Sequence, residues 1–253
     1  MTALLAAYKN ETTKLLRRKK YIVFLIIGIV ICVGAALVGG VVLSDLSMRS
    51  AGFIVNLAPT PMGVLPFFLQ IMLPLLIFMA ATDLITTEEA EHTMKAMICR
   101  PVERWKLYTS KLLAITSYVV VYLGCIFVVS TVLNLIFGRG MDVGEIFLAF
   151  MAYALTVLPL FVLISFSALV ALLGRSGTLV MLVLIVTYLA MHVLPLFFPI
   201  LSELLFTSYL GWHRIWIGVL PAAPRLLHMS LVVFGYGVVF FMAGSLVFDR
   251  KEY

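Results

Sequence analysis

The sequence predicts an all-α integral membrane protein with six transmembrane helices, and three observations lead to this prediction. Hydrophobic residues make up 63% of the chain and charged residues only 12%, whereas soluble domains contain about 25% charged residues. Six uncharged apolar runs are long enough to cross a bilayer, which takes roughly 20 helical residues. The runs also lack the ten-residue alternation of a transmembrane barrel, so the spans are predicted to be helical.

The predicted spans form one membrane domain over residues 21–248. They lie at about 21–43, 64–82, 112–137, 146–173, 178–201 and 226–248. Residues 1–20 mix leucines with polar residues and end in four consecutive basic residues, which predicts an amphipathic helix lying in the membrane interface. A plain basic flank is the alternative. Residues 249–253 are predicted to form a short cytoplasmic tail.

Basic residues are unevenly distributed between the two sides of the membrane. They concentrate in residues 1–20, in the segment Asp83–Lys111 and in the tail. The positive-inside rule therefore predicts that both termini and the segment Asp83–Lys111 are cytoplasmic. The net charge of +6 is interpreted as a topology signal and not as a nucleic-acid interface, because the basic residues flank apolar runs.

The segment between the fifth and sixth spans, Ser202–Arg225, stays apolar although it is predicted to be external. We expect it to fold back onto the membrane as short helices. Tyr209, Trp212 and Trp216 are then predicted to lie at headgroup depth as an aromatic belt. A substrate site in this segment is the alternative.

The predicted span interiors contain no Asp, Glu, Lys or Arg, which disfavours ion-coupled transport because such transporters keep ionisable groups within their spans. The polar candidates there are Gln70, Asn134 and His192. Hydrogen bonding between helices is the expected use of all three. A proton relay at His192 would require a partner that the sequence does not reveal.

No catalytic residue, metal site or cofactor is predicted for this chain. A phosphate-loop motif G-x-x-x-x-G-K-[ST] is missing from the sequence, so we do not expect the chain to hydrolyse nucleotide alone. The pair Glu88-Glu89 lacks the arginine of the E-E-x-x-x-R motif of intramembrane proteases, since that position is Thr93. An intramembrane enzyme is therefore the less favoured alternative.

The polar segment Asp83–Lys111 is predicted to carry the function. Acidic residues cluster at its start, and Met94, Met97 and Ile98 share one face of a predicted short cytoplasmic helix. Pro101 is expected to end that helix and start the next. A short helix with flexible apolar side chains on one face suits docking in a groove of a partner. A solvated loop is the alternative.

At this segment the sequence resembles the membrane subunits of type-2 ATP-binding-cassette exporters. The resemblance rests on the acidic stretch, on a threonine after it, on a Pro-x-x-Arg-Trp turn and on a lysine that opens the third span. The matching residues are Glu88, Glu89, Glu91, Thr93, Arg100-Pro101-Val102-Glu103-Arg104-Trp105 and Lys111. The sequence departs from the family at His92, where glycine is common.

The resemblance implies a permease subunit that exports an amphipathic or hydrophobic cargo, such as a peptide, from the cytoplasm of a bacterial cell. Two separate ATPase subunits would supply ATP and Mg²⁺, and a second permease copy or a related permease would complete the path across the plasma membrane. The implied ATPase contact comprises Glu88, Glu89, Glu91, His92, Thr93, Met94 and Met97. The implied turn into the third span comprises Arg100, Pro101, Arg104, Trp105 and Lys111. A non-transport scaffold or sensor of an ATPase complex is the alternative.

Overall fold

The computed structural model describes residues 2–37, 60–91, 103–137, 141–198, 200–214 and 223–251. Every regular element within these ranges is helical, and no strand occurs in them. Six of the helices are long and apolar enough to cross a membrane. The predicted all-α fold with six candidate spans is therefore confirmed.

The helices are numbered here in chain order. They are α1 (Thr2–Arg17), α2 (Lys19–Leu37), α3 (Pro61–Ala90), α4 (Arg104–Phe137), α5 (Val143–Leu155), α6 (Val157–Leu173), α7 (Gly177–Phe197), α8 (Leu201–Leu204), a 3₁₀ turn at Phe206–Gly211, and α9 (Ala223–Arg250). Helix α6 packs along α9, and α4 packs against both α1 and α2.

Two helices extend further than the predicted spans. Helix α3 continues past residue 82 to Ala90, and α4 begins at Arg104 instead of residue 112. Asp83, Glu88 and Lys111 thus lie in helices and are buried, although the sequence assigns them to a polar connecting segment. The predicted docking helix itself falls within residues 92–102, outside the described residues.

Helix α3 contains two π-helical turns, at Phe68–Met72 and Thr82–Thr87. Proline at position 74 has no N–H to donate to the carbonyl four residues earlier. That carbonyl belongs to Gln70, and it accepts a hydrogen bond of 2.9 Å from the hydroxyl of Tyr188 on α7. A neighbouring helix thereby satisfies a backbone group that proline leaves unpaired.

The fourth span is interrupted between α5 and α6. The break lies at Thr156, three residues before Pro159, whose ring is incompatible with a helical carbonyl four positions earlier. The hydroxyl of Thr156 donates to the carbonyl of Tyr153 at 2.7 Å. The predicted span is therefore one membrane crossing made of two helical pieces.

A glycine allows α2 and α4 to approach closely. A Cβ atom placed on Gly28 would lie 2.3 Å from the hydroxyl oxygen of Tyr122, well inside van der Waals contact. By contrast, a Cβ on Gly34 of the same helix would meet no atom within 4 Å. Close packing on small residues is a recurrent way for membrane helices to associate.

The segment after α7 folds back against the spans, as predicted. The rings of Tyr209 and Trp212 are buried inside the protein, with 7% and 6% of their surfaces exposed. These two rings therefore pack against the protein instead of facing lipid, and their predicted position at headgroup depth stays a prediction. Trp216 lies outside the described residues.

Candidate functional site

Four charged residues from three helices meet at one end of the bundle, and we call them the base cluster: Glu11 and Lys14 of α1, Glu88 of α3, and Lys111 of α4. The Nζ atom of Lys111 donates to Glu88 Oε2 at 2.5 Å, to Glu11 Oε2 at 3.1 Å and to the Leu84 carbonyl at 2.8 Å. An ammonium group has three donors. All three are therefore used.

Lys14 closes the base cluster on its more accessible side. Its Nζ atom donates to Glu11 Oε1 at 2.9 Å and to Glu88 Oε1 at 2.8 Å. Burial alone would lower the pKa of Lys14, but the hydrogen bond that Lys14 donates to Glu88 and the negative charge of Glu11 outweigh it and raise this pKa above its ordinary value. Each carboxylate therefore bridges two lysines, and the four formal charges cancel.

Burial makes this arrangement sensitive to the loss of any member. Glu11 and Lys111 are fully buried and Glu88 is 3% exposed. Removing an ion from water costs several kcal/mol, which only close and fully hydrogen-bonded partners offset. Glu88 also lies near the C-terminal end of α3, where the helix dipole disfavours negative charge. The two lysines compensate for both unfavourable terms.

A second set of ionic contacts joins the start of α2 to α3. Asp83 accepts a hydrogen bond of 2.6 Å from the hydroxyl of Tyr21. Its carboxylate also pairs with Arg18 at 3.1 Å and with Lys20. The first turn of the first span is thus fixed to the second span beside the base cluster.

A third set holds the end of α9. Lys251 donates to Glu89 at 2.5 Å and to the carbonyl of Leu172, the penultimate residue of α6, at 2.6 Å. Arg104 donates to the carbonyls of Asp249 and Lys251 at 2.7 and 3.2 Å. The two helix ends that flank residues 92–102 are therefore both bound to other spans.

The structure separates the predicted coupling residues into distinct environments. Glu88 and Lys111 are enclosed in the base cluster, Glu89 is half-buried and paired, and Glu91 is exposed. Trp105 is exposed, and its ring N–H donates to Glu103 at 2.5 Å. The remaining predicted residues lie outside the described residues: His92, Thr93, Met94, Met97, Arg100 and Pro101.

The three polar span candidates do not share one site. Asn134 is buried within α4, whereas Gln70 and His192 line a cavity between α3, α7 and the 3₁₀ turn. His192 Nδ1 lies 3.1 Å from the Tyr188 carbonyl. In the part of the chain that the structure describes, no group of three or more His, Cys, Asp or Glu side chains could hold a metal ion.

Sequence reasoning missed Glu11, Lys14 and Asp83. A signal for Glu11 exists, because Tyr8, Glu11 and Leu15 recur at helical spacing on one face of α1, and a lone acid on such a face requires a cationic partner. The sequence does not reveal that this partner is Lys111, 100 residues further along the chain.

Comparison with protein families identifies the family of the chain. Residues 7–192 match the family model described as ABC-2 family transporter protein. The matched range contains every member of the base cluster, together with α2 to α6 and most of α7. No curated protein sequence matches the chain closely enough to count as a relative.

Proposed function

We propose, from the premise that the chain belongs to the ABC-2 family of transporter proteins, that it is the permease subunit of an ATP-driven exporter. Separate ATP-binding-cassette subunits, two per complex, bind ATP and Mg²⁺ and dock on residues between α3 and α4. This chain and a second permease copy or related permease form the path for the cargo. The observation that carries the proposal is the family match across the base cluster, four complete spans and most of the fifth.

The base cluster gives the proposal a physical mechanism. Residues 92–102 connect the end of α3 to the start of α4, and the charges of Glu88 and Lys111 join these helices to each other and to α1. A displacement applied to residues 92–102 therefore reaches three helices at once. Closure of the ATPase subunits would move them as a rigid body and alternate the access of the path.

The ATPase contact is proposed at Glu89, Glu91, His92, Thr93, Met94 and Met97. Glu88 enters the proposal through the base cluster, because its carboxylate is enclosed by α1 and α4. Glu91 is the acid in this group whose exposure favours a direct contact. Arg104, Trp105 and Lys111, with Arg100 and Pro101, set the turn into the third span.

The proposed setting is the bacterial plasma membrane, with α1, the base cluster and the C-terminal tail on the cytoplasmic side. Positive charge concentrates at that end, which supports this orientation. Helix α7 has only 17% of its apolar window buried within the chain, so lipid or a second permease copy must cover it. An amphipathic or hydrophobic cargo, such as a peptide, suits a path lined by apolar side chains.

Charge reversal at an exposed acid tests the proposed ATPase contact. The tagged chain is co-purified with the products of its neighbouring genes, and bound ATPase, ATP turnover and export are measured for wild type and Glu91→Lys. We expect Glu91→Lys to reduce bound ATPase and export at least tenfold while membrane insertion stays normal. The control is Glu145→Lys, an equally exposed acid at the start of α5, at the opposite end of the spans.

Two outcomes would contradict the proposal. Normal binding and export by Glu91→Lys would exclude Glu91 as an ATPase contact. ATPase that binds and turns over without any cargo movement would instead favour a scaffold or sensor. The reversal is made at Glu91 and not at Glu88, because a lysine at position 88 would be buried beside two other lysines and would disrupt the fold itself.

A further inference from the structure

A cavity at the end of the bundle opposite the base cluster, here called the distal cavity, has a polar wall. Its volume is about 270 Å³. Its residue Gln70 lies roughly 20 Å along α3 from Asp83, which is beside the base cluster, at 1.5 Å of helix per residue. Three elements line the cavity: α3 near its first π-helical turn, α7 near its C-terminal end, and the 3₁₀ turn with the two residues that follow Trp212. Its polar lining residues are Gln70, His192, Thr207, Ser208, His213 and Arg214.

The polarity of this wall is unusual for its surroundings. The spans around it are composed almost entirely of apolar residues, and polar groups in an apolar medium cost free energy unless they are hydrogen-bonded. Gln70 is nevertheless exposed within a candidate span. Its side chain presents an amide at the point where the first π-helical turn interrupts α3.

His213 is a buried polar side chain in the wall of the distal cavity. Its ring is 5% exposed, and its Nδ1 atom makes no hydrogen bond. Burial first, and then the positive charge of Arg214, lower the pKa of His213 to about 4. The nearby Leu210 carbonyl raises the pKa of the ring by a smaller amount than the two causes that lower it. The neutral ring offers one donor and one acceptor near pH 7.

Arg214 makes the distal cavity electropositive. Its side chain is exposed, and the described residues that line the cavity include no Asp or Glu. Among the side chains that the structure describes, which do not include those of residues 202 and 203, no carboxylate pairs with Arg214 within 4.0 Å. The guanidinium group remains charged at all physiological pH values and presents a planar fork of donors that matches a carboxylate or phosphate group.

We infer that the distal cavity binds an oxyanion, the carboxylate or phosphate group of a ligand, with Arg214 as its counter-charge and the Gln70 amide and the Thr207 and Ser208 hydroxyl groups as further donors. The volume admits one such group with a small substituent. The group could belong to a water-soluble ligand or to the headgroup of an anionic lipid. The site does not depend on the proposed ATPase partner, so its test and the test of the proposed function can fail independently.

The experiment measures whether oxyanions stabilise the full-length chain in discs of phosphatidylcholine. The apparent unfolding temperature is recorded with sodium acetate, sodium phosphate or sodium chloride at equal ionic strength. A second arm replaces a fraction of the lipid by phosphatidylglycerol without added oxyanion. A ligand that binds only the folded state raises its stability in proportion to the logarithm of ligand concentration over Kd.

The variant is Arg214→Gln, and its matched control is Arg175→Gln. Arg175 is also exposed, but it lies in the turn between α6 and α7, at the opposite end of α7. We expect acetate, phosphate or phosphatidylglycerol to stabilise wild type and Arg175→Gln beyond chloride or phosphatidylcholine. The apparent affinity should fall at least tenfold in Arg214→Gln.

The two arms distinguish the sources of the oxyanion. Stabilisation by acetate or phosphate indicates a water-soluble ligand, and stabilisation by phosphatidylglycerol alone indicates a lipid headgroup. Either result supports the inference if Arg214→Gln abolishes it. Equal stabilisation of Arg214→Gln and wild type, or no stabilisation in both arms, overturns the inference.

Discussion

The two ends of the helix bundle treat charge in opposite ways. In the base cluster, each carboxylate contacts two lysines and Lys111 uses all three of its donors. In the distal cavity, Arg214 faces a polar wall whose described residues include no acid. Charged residues at the base are used to join helices, whereas the polar residues at the far end remain available to a ligand.

This difference separates residues that stabilise the protein from residues that can serve function directly. A buried and fully paired charge is costly to remove, because its partner is left without compensation. An exposed charge contributes little to stability. Substitution of a cation at each end should therefore affect different properties of the protein.

The largest effect is expected for Lys111→Met, which breaks the base cluster. The substitution leaves Glu11 and Glu88 buried with Lys14 as their remaining cation, and loss of one partner of a buried ion pair costs about 3–5 kcal/mol. For a chain of this size that corresponds to a decrease in apparent unfolding temperature on the order of 10 °C. Thermal unfolding in lipid discs at a fixed scan rate measures it.

A compensating substitution distinguishes charge from packing in this prediction. Glu11→Gln added to Lys111→Met leaves one acid, Glu88, opposite one base, Lys14. The double variant should regain a large part of the lost unfolding temperature. If the two substitutions were simply additive, uncompensated charge would not be the cause of the loss.

A smaller effect is expected for Tyr21→Phe, which removes the hydroxyl group that donates a hydrogen bond to Asp83. Asp83 keeps its pairs with Arg18 and Lys20, so the loss should be about 1.5–2 kcal/mol, at the lower end of the range for a hydrogen bond to a charged group. Tyr8→Phe is the matched control, because that hydroxyl forms a neutral hydrogen bond of 2.7 Å with Ser117. The same unfolding measurement should rank Tyr21→Phe below Tyr8→Phe in stability.

The smallest effect on stability is expected for Arg214→Gln. Its side chain is exposed, and surface substitutions of this kind change stability by about 0.5 kcal/mol or less. In chloride and phosphatidylcholine, the variant should therefore unfold at the wild-type temperature while losing its response to oxyanions. A large loss of stability without any ligand would instead indicate that Arg214 has a structural role.

The sequence predicts the number of spans well because each span is a continuous apolar run, and hydropathy depends on local composition. It predicts the ends of α3 and α4 poorly, because Asp83, Glu88 and Lys111 are polar when considered singly. Their burial is possible only because partners on other helices compensate them, among them Glu11 on α1. Compensation between distant positions leaves no local pattern.

The sequence predicts only part of the candidate site, because the contacts that assemble the site join residues distant in the chain. The acidic stretch and Lys111 were identified by their resemblance to a family, and the structure adds that Glu88 and Lys111 pair with each other at 2.5 Å. The backbone carbonyl of Gln70 bonds to Tyr188 on α7, and the His192 ring contacts Tyr188 of its own helix. Hydrogen bonds from the Gln70 and His192 side chains to other helices stay a prediction. Their common cavity depends on the 3₁₀ turn, whose position against α3 and α7 is not encoded in any short stretch of residues.

The cancellation of formal charge in the base cluster has an electrical consequence. Moving one elementary charge through a membrane potential of 100 mV involves about 2.3 kcal/mol of work. The base cluster contains two acids and two bases, so its displacement as a unit transfers no net charge through the field. Displacement of these four residues as a unit therefore contributes no net work against the membrane voltage.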